Sequence, residues 1–588
     1  MIKVSDYIFD FLKSKGVDTI FSVSGGAAAH LLNSVAEKDF TYVNNYNEQA
    51  CAMAAEGYAR IANKPACVLV TNGPGSTNTL TGVLGAFQDS IPMIIISGQV
   101  PVNQSLGSVD IELRQLGVQE CDIISMIKPI TKYAAQITDP ATVASHLAIA
   151  YNTATTGRMG PVWLDIPLDV QSALTEAPDW EITNIPDISE YDPKEIIDLI
   201  YNSKKPVIIT GNGIHLSKAE EYFKVLKDKL QIPVVSTWTS KDLMDHNDPL
   251  FVGNFGLLGE RAANFAIQNA DLLLVLGSRL SIPNVGYQSH LFSPNSIKIM
   301  VDIDENELKK PTLKIDYPIV NDLKHFISEL MFELINRANL PKWTEWIDRT
   351  QSWKAKYPVF QPEYKANTER INSFYFMEVL SSKLTDNNII VTDMGTSYTC
   401  TMQSLRMNGK NRLFTSSATC SMGFGLPGAI GAYFADPTKD IILIAGDGGL
   451  QMNIQELQTI NHYKIPIKIF LLNNNGYLAI SLMQDNLFKG KYIGSNPQSG
   501  VSNPDFLGLA KAYGFEVYRM NNNTELEEDI DDVLSETGPT FCEIKMVENQ
   551  LLIPRVQSSK DENGKIISNS LENMFPYLSD EEMKEIMS

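Results

Sequence analysis

Residues 441–445 (Ile-Ile-Leu-Ile-Ala) and 467–472 (Ile-Lys-Ile-Phe-Leu-Leu) are apolar runs of strand length, and between them Leu450, Ile454, Leu457 and Ile460 recur at helical spacing. This pattern predicts a strand–helix–strand unit with both strands parallel in one sheet. The same alternation fills the rest of the chain. Residues 66–71 and 93–97 read as buried strands, 48–61 as a helix, and 272–277 and 297–302 as strands of a later unit that opens at 205–213. Breaks in the pattern divide the chain. Residues 174–194 are rich in proline and acidic side chains and read as a linker, and 343–372 is a polar and aromatic stretch. The expected organisation is α/β, with three doubly wound parallel-sheet domains over residues 1–172, 195–340 and 373–550, and a tail over 551–588 with Pro554, an Asp-Glu-Asn-Gly turn and a final acidic helix. No internal repeat is visible by close sequence identity, although the first and third domains share the α/β pattern.

Composition narrows the function classes. A chain of 588 residues exceeds one core and implies three or four domains. A formal charge of −21 argues against nucleic acid or an anionic membrane surface as partner, and means that an anionic substrate needs local positive charge. The longest apolar runs are strand-length, far short of a membrane span, and the polar, helix-like start (Met1-Ile2-Lys3-Val4-Ser5) is not a secretory signal. Six scattered cysteines without CxxC spacing read as reduced thiols, so a cytoplasmic location is expected.

The chemistry concentrates at the carboxyl ends of the two runs first described. Gly446-Asp447-Gly448 follows one and Asn473-Asn474-Asn475-Gly476 follows the other, with Asn474 lying 27 positions after Asp447 (474 minus 447). Open parallel sheets bind ligands at that edge. A carboxylate and an amide oxygen are hard donors suited to Mg²⁺, and the glycines allow a phosphate close to the backbone. Gly-Asp-Gly alone is common in turns; the pair of motifs at this separation is much more specific. It resembles the signature of the thiamine diphosphate (ThDP)-dependent decarboxylases and carboligases, in particular the acetolactate synthase-like branch. The resemblance covers nearly the whole chain, from Asp6 to about Lys545.

The resemblance implies a pyrimidine-binding domain, a middle Rossmann-like domain and a diphosphate-binding domain, in that order. Asp447, Asn474 and the Gly476 carbonyl are the implied metal ligands, with Gly446, Gly448, Gly449, Tyr477, Gly395 and Thr396 around the diphosphate, and Met422 as the apolar wedge under the bent cofactor. In the first domain Glu48, before the Gly57-Tyr58-Ala59-Arg60 string, is the implied catalytic glutamate, which in the family bonds an aminopyrimidine ring nitrogen and favours its imino tautomer. Taken alone it is a glutamate at a helix start. Asn47 departs from the histidine that many relatives carry there. Gly25, Gly73 and Asn78 are further cofactor positions, and Gln99 and Gln484 are expected to face substrate, with Gln119 a weaker candidate. No Gln-Trp-Gln follows Gly476, which leaves the acceptor open, and residues 489–497 read as a mobile cover or a plain surface loop. That region and the tail look more like acetolactate synthase-like proteins of surface-polysaccharide biosynthesis, some of which attach a two-carbon unit from pyruvate to a keto sugar.

The middle domain carries Gly211-x-Gly213 with Leu216 where a third glycine would stand, a weak dinucleotide fingerprint. This branch often holds FAD there, and the resemblance points to Arg158, Gly211, Gly213, Arg279 and Asp302, with an arginine able to bind a pyrophosphate bidentately. FAD stays open. The expected partners are a 2-keto acid and a carbonyl acceptor, and the family's placement of the glutamate and the metal site on different subunits implies a homodimer or homotetramer. The competing readings are a decarboxylase that releases an aldehyde, a nucleotide-dependent oxidoreductase, and a non-catalytic cofactor-binding subunit. Simple pyruvate decarboxylases of the family use paired histidines to protonate their intermediate; the seven histidines here are isolated, so the resemblance implies carbon–carbon bond formation over aldehyde release.

Overall fold

The computed structural model describes residues 1–176, 188–335, 337, 341–366, 369–560 and 566–588. The middle of the expected linker, the end of the middle domain near residue 340 and the Asp-Glu-Asn-Gly turn of the tail lie outside the described residues.

Three six-stranded sheets carry the chain, each parallel throughout. In the first the spatial order is Thr41–Asn44, Thr19–Ser22, Ala66–Val70, Met93–Gln99, Pro161–Pro167, Tyr133–Gln136. In the third it is Arg412–Phe414, Asn388–Thr392, Asp440–Gly446, Lys468–Asn473, Thr540–Lys545, Glu516–Met520. Numbered in chain order within each sheet, both read 2-1-3-4-6-5. A repeat invisible as sequence identity is therefore present as topology. The middle sheet runs Phe251–Asn254, Val234–Ser236, Pro206–Thr210, Leu272–Leu276, Ile297–Asp302, Tyr317–Val320, or 3-2-1-4-5-6, the dinucleotide-binding order.

Their fully apolar strands, such as Leu272–Leu276 and Ala66–Val70, are buried because helices cover both faces. Each sheet reverses its winding beside its first strand, and there two glycine-bearing loops meet. A Cβ at Gly25 would lie 2.5 Å from Thr71, and one at Gly211 would lie 2.2 Å from the Gly277 carbonyl oxygen. In the third sheet the two loops are those after Asn388–Thr392 and Asp440–Gly446.

The first and third domains share one apolar core. Its seam is the helix Glu48–Ala62 against Gly425–Ala435, crossing so closely that a Cβ on Gly57 would sit 2.2 Å from the Gly428 carbonyl oxygen and one on Gly431 1.9 Å from that of Ala54. The middle domain has its own core, which also takes up Leu571 and Ile586 of the tail. Asn264 donates to the Leu571 carbonyl (2.9 Å), fastening the tail to the middle domain. The acidic end helix forms over Asp580–Met587.

The helix expected between the two signature strands is two short ones, Asp447–Gln451 and Glu456–Tyr463. Asn453 in the break is fully buried and its amide donates to the Gly423 carbonyl (2.9 Å) and to Gln49 Oε1 (3.1 Å). Those bonds across two domains replace the helical path. Among the described residues no helix is long and apolar enough to cross a membrane, and all six cysteines are free.

Candidate active site

Asp447 begins a short helix directly after its strand, so its carboxylate lies at the winding reversal of the third sheet. It is buried, and burial raises its carboxyl above the ordinary value, against the pull of the donors around it. Oδ1 accepts the Gly448 N–H (2.8 Å), and Oδ2 accepts the Gly476 N–H (3.1 Å) and the Asn503 amide (2.7 Å). Asn474 lies beside it on the neighbouring strand's end, with its amide donating to Thr396 Oγ1 (3.2 Å). Its oxygen, Oδ1, is buried and has no partner. A buried amide oxygen without a donor is costly unless a ligand supplies one.

The walls of this site come from four segments. Gly395 takes φ +91°, and a Cβ there would meet nothing within 4 Å, so open space lies over the loop that leads to Thr396. A Cβ on Gly448 would meet the Tyr477 ring at 2.2 Å and Met422 Cε at 3.2 Å, which places Gly448, Tyr477 and Met422 in one cluster. Gly446 lies behind, facing Ser397 and Met394. Asp393 ties the segments together. It is fully buried and accepts the Met394, Gly423 and Gly425 N–H groups (2.6, 3.0 and 3.0 Å), while burial raises its carboxyl to about 6. A Cβ on Gly449 would come within 2.7 Å of it.

Glu48 opens the helix that packs against the third domain. Asn47 is its N-cap, accepting the Gln49 N–H (2.8 Å). Glu48 stays partly exposed and Oε2 accepts from the Asn78 amide (2.9 Å). Gly73, at φ +58°, lies against the Gln119 carbonyl, where a Cβ would come to 2.2 Å. Only a glycine allows that approach.

The sequence of each domain matches the thiamine pyrophosphate enzymes: the N-terminal TPP binding domain over residues 2–126, the central domain over 193–330 and the C-terminal TPP binding domain over 393–544. The acetolactate synthase large subunit of Lactococcus lactis is 33% identical over 561 residues, covering 94% of this chain and 94% of that protein. The large subunit of Parasynechococcus marenigrum is 32% identical (94% and 89%), and that of Escherichia coli isozyme 1 is 30% identical (94% and 95%). The chain belongs to the thiamine pyrophosphate enzymes. Within that family it is a ThDP-dependent decarboxylase and carboligase of the acetolactate synthase type.

The residues present fit the family's cofactor. The orphaned Asn474 oxygen beside the Asp447 carboxylate is an acceptor pair for a cation, and the open space at Gly395 suits a diphosphate. The two glutamines expected to face substrate have other partners. Gln99 is buried, with its amide donating to Asp165 (3.2 Å) and its oxygen accepting the Val100 N–H (3.0 Å). Gln484 donates to the Ile493 carbonyl (3.0 Å) and accepts from Ser495 Oγ (2.8 Å), so it fastens the 489–497 segment that reads as a cover. Both amides are turned to the protein because both ends of each find donors or acceptors there. Asn503, which no sequence motif singled out, is joined to Asp447; its only signal is a polar side chain ahead of a helix.

The middle domain holds a cavity of about 710 Å³ lined by Gly211, Gly213, Arg279 and Asp302, reached by Arg158 from the first domain and by Tyr398 and Cys420 from the third. Burial raises the Asp302 carboxyl to about 6. Arg158 meets Asp304 (2.8 Å) and Glu307 (2.9 Å), so its guanidinium is already matched by carboxylates instead of standing free for a pyrophosphate. Gly211 and Gly213 give the backbone room against Gly277, which accounts for two glycines without the third.

Proposed function

We propose that the chain decarboxylates a 2-keto acid, pyruvate first among them, and joins the resulting two-carbon unit to a carbonyl acceptor, a second 2-keto acid or a keto sugar. ThDP acts as the electron sink for that chemistry, held with Mg²⁺. Asp447, Asn474 and the Gly476 carbonyl would hold the cation, Gly395 and Thr396 would border the diphosphate, and Met422 would pack against the cofactor's rings. Glu48 holds a proton at the aminopyrimidine, oriented by Asn78. The observation that carries this reading is the unpartnered, buried Asn474 oxygen next to the Asp447 carboxylate. The named activity of the relatives supports the carboligase outcome over aldehyde release.

The chain works as at least a homodimer in this reading, in the cytoplasm. Ile111, Val118, Ile480, Met483 and Ile493 are large apolar side chains left exposed on the first and third domains, and a second copy would cover them. FAD would occupy the middle-domain cavity, whose size, glycine-lined floor and strand order suit a dinucleotide. Purified protein should then be yellow and release flavin on denaturation.

Incubation with ThDP, Mg²⁺ and labelled pyruvate, with 2-ketobutyrate and nucleotide-linked keto sugars as acceptors, tests the activity. Ligated product by mass spectrometry supports it; acetaldehyde alone establishes the non-ligating decarboxylase, and no turnover of any 2-keto acid removes both.

A further inference from the structure

We infer that Asn503 is a positioning residue that fixes the carboxylate of Asp447, and that residues 493–503 form a brace behind the metal-binding pair. The inference rests on the Mg²⁺ site proposed above and adds to it a residue outside the signature. Asp447 Oδ2 accepts two hydrogen bonds, from the Gly476 N–H (3.1 Å) and from Asn503 Nδ2 (2.7 Å). Oδ1 accepts one, from the Gly448 N–H (2.8 Å). A carboxylate oxygen has two lone-pair directions, so Oδ2 is filled and Oδ1 keeps one open. That open direction stands beside the unpartnered Asn474 oxygen. Asn503 therefore determines which oxygen of Asp447 meets the cation.

The same amide donates to Asn473 Oδ1 (3.0 Å), which also accepts the Asn475 N–H (3.0 Å) and so shapes the turn carrying Asn474 and Gly476. Asn473 in turn donates to Glu543 (2.6 Å), anchoring the assembly in the next strand of the sheet. A second attachment lies earlier in the segment. The Ser495 carbonyl accepts the Tyr477 N–H (2.8 Å), and a Cβ on Gly476 would come to 2.5 Å from that same oxygen. Ser495 is held by Gln484 (2.8 Å) and by the Asn496–Ser499 capping box. Both metal-binding loops are thus tied to one stretch of chain, at Ser495 and at Asn503.

Groups that orient a metal-binding carboxylate affect metal affinity by about 10–100-fold when removed. The test uses Asn503→Ala and Asn503→Leu, the second keeping the side-chain volume without the donor. Mn²⁺ binding in the presence of ThDP is read by the free-ion electron paramagnetic resonance signal, alongside apoprotein melting. Both variants are expected to bind Mn²⁺ about 10–100-fold more weakly, and to regain turnover when metal is saturating. Unchanged Mn²⁺ affinity in either folded variant overturns the role of Asn503, whatever happens to melting temperature. Failure of the native chain to take up Mn²⁺ with ThDP instead overturns the proposed metal site itself.

Discussion

Asp393→Asn separates what this residue does for stability from what it does for the cofactor loops. In the native chain Oδ1 accepts from Met394 and Gly423, and Oδ2 from Gly425. An amide oxygen can keep the first pair, but its NH₂ then faces the Gly425 N–H. One hydrogen bond is lost and a buried donor is left unpaired, at about 1–3 kcal/mol. Against this stands the carboxylate's burial, which raises the group from an ordinary 3.8 to about 6. Holding it ionised above pH 7 therefore costs about 3 kcal/mol, which the amide avoids. The folded value lies above the unfolded one, so the native contribution to stability is full below pH 3.8 and is lost as pH rises through about 6. At pH 7.5 the two effects nearly cancel and the variant should melt close to the native chain. Below pH 5 the native carboxyl regains its proton and the variant becomes the less stable of the two. No such cancellation protects the 421–425 segment, because the displaced Gly425 N–H moves Met422 with it. ThDP affinity should fall about tenfold or more, the equivalent of 1.4 kcal/mol. Melting at pH 4.5 and 7.5, with calorimetric titration of ThDP, measures both. Equal destabilisation at the two pH values together with native ThDP affinity would refute the reasoning.

Three further outcomes are expected. Glu48→Gln keeps an oxygen for the Asn78 amide and should fold normally, yet lower turnover by roughly 10²–10⁴-fold; near-native turnover excludes Glu48 from proton handling. Gly57→Ala drives a methyl to 2.2 Å from the Gly428 carbonyl oxygen, so a stability loss of about 1–3 kcal/mol or more is expected in chemical denaturation, and an unchanged midpoint would show that the helices part freely. Glu56, fully buried beside Arg60, is raised by burial from 4.5 to about 7. Its contribution is full below pH 4.5 and is lost as pH rises through about 7, so Glu56→Gln should remove a loss of about 3 kcal/mol across that window; melts at pH 5 and 8 that fall equally in both proteins would sink this.

The strand pattern and the signature were legible from the sequence because they are local. Apolar runs of five or six residues form strands wherever helices cover both faces, and Asp447 and Asn474 follow such runs directly. What local pattern could not carry was partnership. Gln99 and Gln484 look alike as free amides along the chain, and only the fold supplies Asp165 to one and Ser495 to the other. The helix through 450–460 has continuous apolar spacing, yet it breaks because Asn453 finds Gln49 and Gly423 across the domain seam. Arg158 is a plausible anion binder in isolation, and its carboxylate partners lie in another domain. Asn503 sits in an irregular stretch whose value depends on a carboxylate remote in sequence.

The continuous core joining the outer two sheets means that they cannot melt one at a time. Removing either would strip the Glu48–Ala62 or Gly425–Ala435 helix of its cover and leave apolar surface in water. Heat should therefore release this protein as two cooperative units despite its three sheets, the first and last collapsing together while the central one, with the tail as its clasp, follows its own curve. A severed amino-terminal third would be a sticky fragment in place of a free-standing module.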